Sequence, residues 1–116
     1  MIELITRGDD DSITRVELKG RLDLAGVQSV ETQFTAHTAA AHKPAVVDLS
    51  GVEFIASLGL RMLLSTAKAL RAAGARMVLL SPQPMVAEVL RTAGFDKVID
   101  VAEDEKMAMA IAQSVV

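Results

Sequence analysis

Apolar residues recur along this chain at two spacings, and the switches between them mark out the elements. "MIELITR" (1–7) and "SITRVELKG" (12–20) read as strands. In the second, Thr14, Val16 and Leu18 alternate with Arg15, Glu17 and Lys19, which predicts a sheet with one wet face. The intervening "GDDDS" reads as a solvated turn, because the contiguous triplet Asp9, Asp10, Asp11 cannot surround an ion. "LAGVQSVETQFTAHTAAAH" (24–42) changes to helical spacing, with Leu24, Val27, Val30, Phe34, Thr38 and Ala41 on one face and Asp23 placed as its N-cap. "PAVVDLS" (44–50) is a short apolar strand that opens on Pro44, and it leaves Ser50 at a strand end before a loop.

"EFIASLGLRMLL" (53–64) joins a strand-like run to a helix. Leu60, Leu63, Leu64, Ala67 and Leu70 form the apolar stripe of that helix, opposite Arg61, Ser65, Lys68 and Arg71, and Gly74 ends it. "RMVLL" (76–80) is almost continuously apolar, as a strand covered on both faces would be. "SPQPMVAEVLRTAG" (81–94) is a helix with Pro84 near its first position, with Val86, Val89, Leu90 and Ala93 inward and Gly94 as its stop. "KVIDV" is a last short strand, and "EDEKMAMAIAQSV" a last helix, acidic where the helix dipole favours it. The order β-β-α-β-α-β-α-β-α predicts one α/β domain over residues 1–116. Its sheet is mixed but mostly parallel, with roughly four to five strands and about four helices.

Composition narrows the function. Of the 116 residues, 51% are hydrophobic, but only three are aromatic, all Phe, which equips the chain poorly for stacking on bases or sugars. The net charge of −3 comes without a basic block, which argues against nucleic acid as a partner. The absence of cysteine removes disulfides and thiolate chemistry. The sequence shows neither a signal-peptide pattern nor an apolar run of the roughly 18–20 residues that cross a bilayer, so a cytoplasmic protein without membrane contact is expected.

Catalytic chemistry is sparse. Neither phosphate-binding glycine motif is present. His37 and His42 are spaced so that they do not share a helical face, and no local carboxylate pair joins them, so no metal or cofactor is expected. Residues 55–59 read Ile-Ala-Ser-Leu-Gly, which is not a nucleophile elbow. Ser57 is the residue that stands out. Its position suits a helix N-cap. It also lies at the C-terminal side of a parallel strand, where α/β sheets carry functional loops, between Ile55 and Leu58, which read as exposed. A helix N-terminus tolerates a phosphoryl group, and Arg61, one turn on, is placed to lean toward one.

Three segments together resemble the STAS domain family and, within it, the bacterial anti-sigma factor antagonists. They are "VELKGRLDLAGVQSVE", "AVVDLSGVEFIASLGLRMLL" and "ARMVLLSPQPMVAEVLRTAGFDKVIDVAEDEKMAM". The resemblance implies that Ser57 is phosphorylated by a GHKL-type serine kinase that doubles as the anti-sigma factor. It further implies that only the unphosphorylated form binds that partner, and that a serine phosphatase resets the switch. Asp23 matches the aspartate of the turn that helps engage the partner, and Gly59 the motif glycine. The expected partner surface comprises Asp23, Arg21, Leu24, Ile55, Ala56, Leu58, Gly59, Leu60 and Arg61. The motif usually has Asp where this chain has Ala56, and often Ser where it has Leu58. The expected molecule is not an enzyme, and is a monomer or weak dimer. A non-switching scaffold or lipid-transport accessory of the same fold is the alternative reading, and a small enzyme a third.

Overall fold

A computed structural model describes residues 2–6 and 12–114. The "GDDDS" turn therefore lies almost wholly outside the described residues. Five strands form one sheet in the order β1-β2-β3-β4-β5: β1 (Ile2–Thr6), β2 (Thr14–Leu22), β3 (Ala45–Ile55), β4 (Met77–Leu80) and β5 (Asp100–Ala102). β1 runs antiparallel to β2, and every other neighbouring pair is parallel. The helices are α1 (Leu24–His37), α2 (Ser57–Ala72), α3 (Pro84–Thr92) and α4 (Glu105–Ala112). The expected mixed, mostly parallel α/β sheet with four helices is what forms.

The sheet separates two apolar clusters. The larger buries Val27, Val30 and Phe34 of α1, Met62, Leu63 and Leu70 of α2, and Val86 and Leu90 of α3 against alternate residues of the strands. Three right-handed crossovers between strands laid down in sequence order bring all three helices to this face. Among the described residues the smaller cluster has α4 as its one helix, whose Ala108 and Ala112 pack on Val46, Val78, Leu80 and Ala102. β4 is buried along its whole length, as its continuous apolar run requires.

Several expectations are corrected. The face of β2 that carries Arg15, Glu17 and Lys19 is not simply wet, because Glu17 is buried. β2 is an interior strand, Glu17 lies level with Asp48 of β3, and α4 reaches over this face to pair Glu105 with Arg15. The strand at residues 44–50 runs on to Ile55, so exposed Ser50 lies mid-strand. Register shifts between Glu17 and Lys19 and between Gly20 and Arg21 let the pairing continue past the break in alternation at Gly51. α1 ends at His37. Thr38 turns its hydroxyl back to the Phe34 carbonyl, 2.5 Å away, and a 3-10 turn follows at Ala39–Ala41. Leu24 is exposed rather than part of the buried stripe, and so is Ala93. On α2 the buried face is Gly59, Met62, Leu63, Thr66 and Leu70, with Leu60, Leu64 and Ala67 half-buried beside it.

Candidate functional site

The site begins where β2 and β3 end side by side. Leu22 lies level with Ile55, and the Ala56 N–H donates to the Leu22 carbonyl at 2.9 Å. The turn that starts α1 and the turn that starts α2 are therefore neighbours. At the first, Asp23 is the N-cap: its Oδ1 accepts the Gly26 N–H at 2.8 Å, and its Oδ2 lies 3.6 Å from Nε of Arg21. The Gly26 hydrogen bond, with the Arg21 charge beside it, holds the Asp23 carboxyl below its ordinary pKa against a smaller opposing effect of burial.

At the second turn the structure overturns the capping role of Ser57. Ala56 holds the extended N-cap conformation, with φ −101° and ψ 176°, because its N–H continues the ladder to Leu22. Ser57 is the first residue inside α2 and is exposed, and its side chain makes no capping bond. The first intrahelical bond runs from the Leu60 N–H to the Ala56 carbonyl, so the N–H groups of Ser57, Leu58 and Gly59 point out of the helix end. A hydroxyl stands free at the positive end of a helix dipole.

Two close approaches lock the turns together. A Cβ on Gly59 would lie 2.9 Å from Ile55 Cγ1 and 3.1 Å from both the Cβ and the carbonyl oxygen of Leu22. A Cβ on Gly26 would lie 2.1 Å from the Arg21 carbonyl oxygen. Both glycines let backbone pass where a side chain has no room.

The nine residues expected around Ser57 converge on this end of the sheet but differ in access. Arg21, Leu24 and Arg61 are exposed, with Leu24 at 55%. Asp23, Ala56, Leu58 and Leu60 are half-buried, and Leu58 and Leu60 also pack on the larger core. Ile55 does not have the exposure expected of it: it is 5% exposed and belongs to the core, as the last inward residue of β3. Gly59 is buried. Arg61 makes no ion pair with any described residue. Two further side chains were not singled out from the sequence. Phe54 carries the Arg21 guanidinium over its ring at 4.5 Å from the centroid. Met85, 66% exposed, stands at the start of α3, after β4, whose last residue Leu80 lies level with Asp48 and so well short of the end of β3. Its signal was a large apolar residue off the Val86–Leu90 stripe.

Among the described residues no His, Asp and Glu side chains gather as a metal set would require, and no helix is long and apolar enough to cross a membrane. His37 and His42 are both exposed.

The STAS domain family matches residues 5–108. The chain belongs to the STAS family. BtrV of Bordetella bronchiseptica, assigned by name to the anti-sigma factor antagonists, is 32% identical over 93 residues, or 80% of each chain. Among solved structures, an anti-sigma factor antagonist from Mycobacterium paratuberculosis superposes with a TM-score of 0.85 at 25% identity, covering 98% of this chain and 96% of its own. The Bacillus cell fate determinant SpoIIAA in its phosphorylated form shares the fold, with a TM-score of 0.70 at 18% identity over 94% of this STAS chain and 99% of its own.

Proposed function

We propose that this STAS protein is an anti-sigma factor antagonist that works by binding rather than catalysis and is switched by phosphorylation of Ser57. The observation that carries the reading is the placement of Ser57. It is the exposed first residue of α2, beside the Asp23 turn, with apolar Leu24 and Leu58 in the same region. Family membership and the name given to BtrV support the class of partner, an anti-sigma factor, which on this reading is also a GHKL-type serine kinase. A serine phosphatase resets the switch.

The chemistry of the switch follows from the site. A phosphoserine carries about −1.5 to −2 charges at neutral pH. On the free protein those charges meet the first N–H groups of α2 and Arg61, which no described residue pairs, so the phosphorylated chain stays folded. Against a partner the same group is a liability. A dianion pressed into a partly apolar contact without a counter-charge costs several kcal/mol, enough to lower affinity by orders of magnitude. Arg21, Asp23, Leu24, Leu58 and Arg61 form the accessible contact, with Ala56 and Leu60 at its margin and Ile55 and Gly59 as support beneath.

Capture from the source cell with Ser57→Ala as bait identifies the partner, and a serine kinase in the eluate is the expected result. Incubated with that kinase and ATP, the wild-type protein should gain one phosphate, at Ser57 and not at Ser50 or Ser65, by intact mass and peptide mapping. Phosphate on the Ser57→Ala protein would overturn the assignment. Recovery of a lipid-transport complex in place of a kinase would move the protein to the scaffold class.

A further inference from the structure

A second site lies at the carboxyl edge of the sheet, at the other end of its strand order. β4 and β5 are parallel neighbours, yet the chain leaves them in opposite directions. After β4 it crosses to the larger cluster, where Val86 and Leu90 of α3 are buried. After β5 it crosses to the smaller one, where Ala108 and Ala112 of α4 are buried. Adjacent strand ends whose connections part in this way leave a crevice, the position where open α/β sheets take their ligands. The crevice here has a volume of about 430 Å³. That falls within the roughly 300–1,000 Å³ of small-molecule sites. No residue of the 53–64 segment lines it.

Its floor is apolar, built by Ala87 and Leu90 of α3 and Val101 of β5. Its rim is charged. Asp96 and Glu103 line it, and Arg91 also lines it but is hydrogen-bonded to Glu88. With the Glu88 carboxylate answering the guanidinium, Asp96 and Glu103 leave the rim net negative. Ser81 closes one side. It holds φ +50°, a left-handed backbone that is costly for a residue with a side chain. Its N–H donates to the Ala102 carbonyl at 2.7 Å and its hydroxyl to the Glu103 carbonyl at 2.6 Å. The strained residue is thus a clasp that sets the width between the two strand exits.

We propose that this crevice binds a small amphipathic cation, a primary ammonium on a short apolar body. The body covers Leu90 and Val101, and the ammonium donates to the carboxylates of Asp96 and Glu103. A neutral molecule of the same shape gains only the apolar contact. An anionic one meets two like charges and a guanidinium that Glu88 already answers. The Ser57 surface takes no part, so the proposal stands or falls independently of the partner-switching reading.

The test is an NMR titration of the full ¹⁵N-labelled chain at neutral pH with n-hexylamine, and with n-hexanol and hexanoate for comparison. Saturable shifts are expected at the amides of Ala87, Leu90, Val101 and Ala102. Glu103→Gln and Asp96→Asn should each weaken hexylamine binding by about two- to fivefold, the range of an exposed ion pair. Ala87→Phe, which fills the crevice from a half-buried helix position, should abolish it. Hexanol or hexanoate binding as tightly as hexylamine would overturn the proposal. So would the absence of saturable shifts, shifts mapping elsewhere, or undiminished binding in Ala87→Phe that melts like wild type. Should Ala87→Phe fail to fold, the two carboxylate variants decide: unchanged affinity in both sinks the idea.

Discussion

Asp23 divides its two oxygens between two tasks, one capping α1 through the Gly26 N–H and the other facing Arg21. Asn retains the capping oxygen but not the charge. Asp23→Asn should therefore fold and melt near wild type while binding the proposed kinase partner more weakly, which a titration of the purified pair would show. Asp23→Ala loses the cap as well and should melt a few degrees lower at neutral pH. The folded pKa of Asp23 is depressed, so its charge contributes stability above the unfolded value of about 3.9, and that contribution is lost as pH falls through the folded value. The gap between wild type and Asp23→Ala should accordingly narrow in melts run on the acid side of about pH 4. The glycines make a sharper case. Gly59→Ala must displace the Ile55 side chain and press on Leu22, and should cost about 1–3 kcal/mol in denaturant unfolding, as overpacking does. Gly26→Ala, whose new carbon meets the Arg21 carbonyl, should cost more. The cap at Asp23 was legible because an Asp before an apolar helical run has few other uses. The non-capping state of Ser57 was not, because the rule that favours Ser at an N-cap knows nothing of the Ala56–Leu22 bond that moves the helix start by one residue.

Elements were legible where one period dominates. α2 ends as its sequence indicates: the Gly74 and Ala75 N–H groups close back on the carbonyls of Arg71 and Leu70, and Gly74 sits at φ +80°. β4 and the Pro84 start of α3 were equally plain. β3 was read too short because its continuation depends on register shifts in β2, and pairing irregularities leave little trace in alternation. The wet face assigned to β2 failed for a related reason, since α4 covers part of it from the far end of the chain. That arrangement makes α4 separable. It is the one described helix on its face, and Ala108 at its centre is fully buried. Ala108→Asp places a charge without a partner in that contact, at a cost of more than about 2 kcal/mol. Amide hydrogen exchange should then quicken first in α4, with α1 and α2 still protected. Uniform loss of protection would mean that the two cores unfold as one.

At the scale of the molecule, the proposed phosphorylation of Ser57 should leave the fold unchanged, because the added charge falls at a helix end that already favours it. Comparison of amide shifts between phosphorylated and free protein should show changes near residues 54–62 and the Asp23 turn. Shifts spread through the sheet and the far helices would instead mean a conformational mechanism. Ser57→Asp, with one charge and fewer oxygens, should reproduce only part of the loss of binding. The strand order carries a consequence of another kind. Each strand of the sheet is hydrogen-bonded to the strand before it in the chain. No pairing has to wait for a distant segment to return, so every loop closed on the way to the native sheet spans a single connection. The parallel pairings join residues 22 to 33 positions apart, one crossover and no more. They also let the sheet grow outward from the β2–β3 pair in either direction, one strand at a time. A chain emerging from the ribosome could then build that pair, and the Ser57 turn with it, before β5 and α4 have been made.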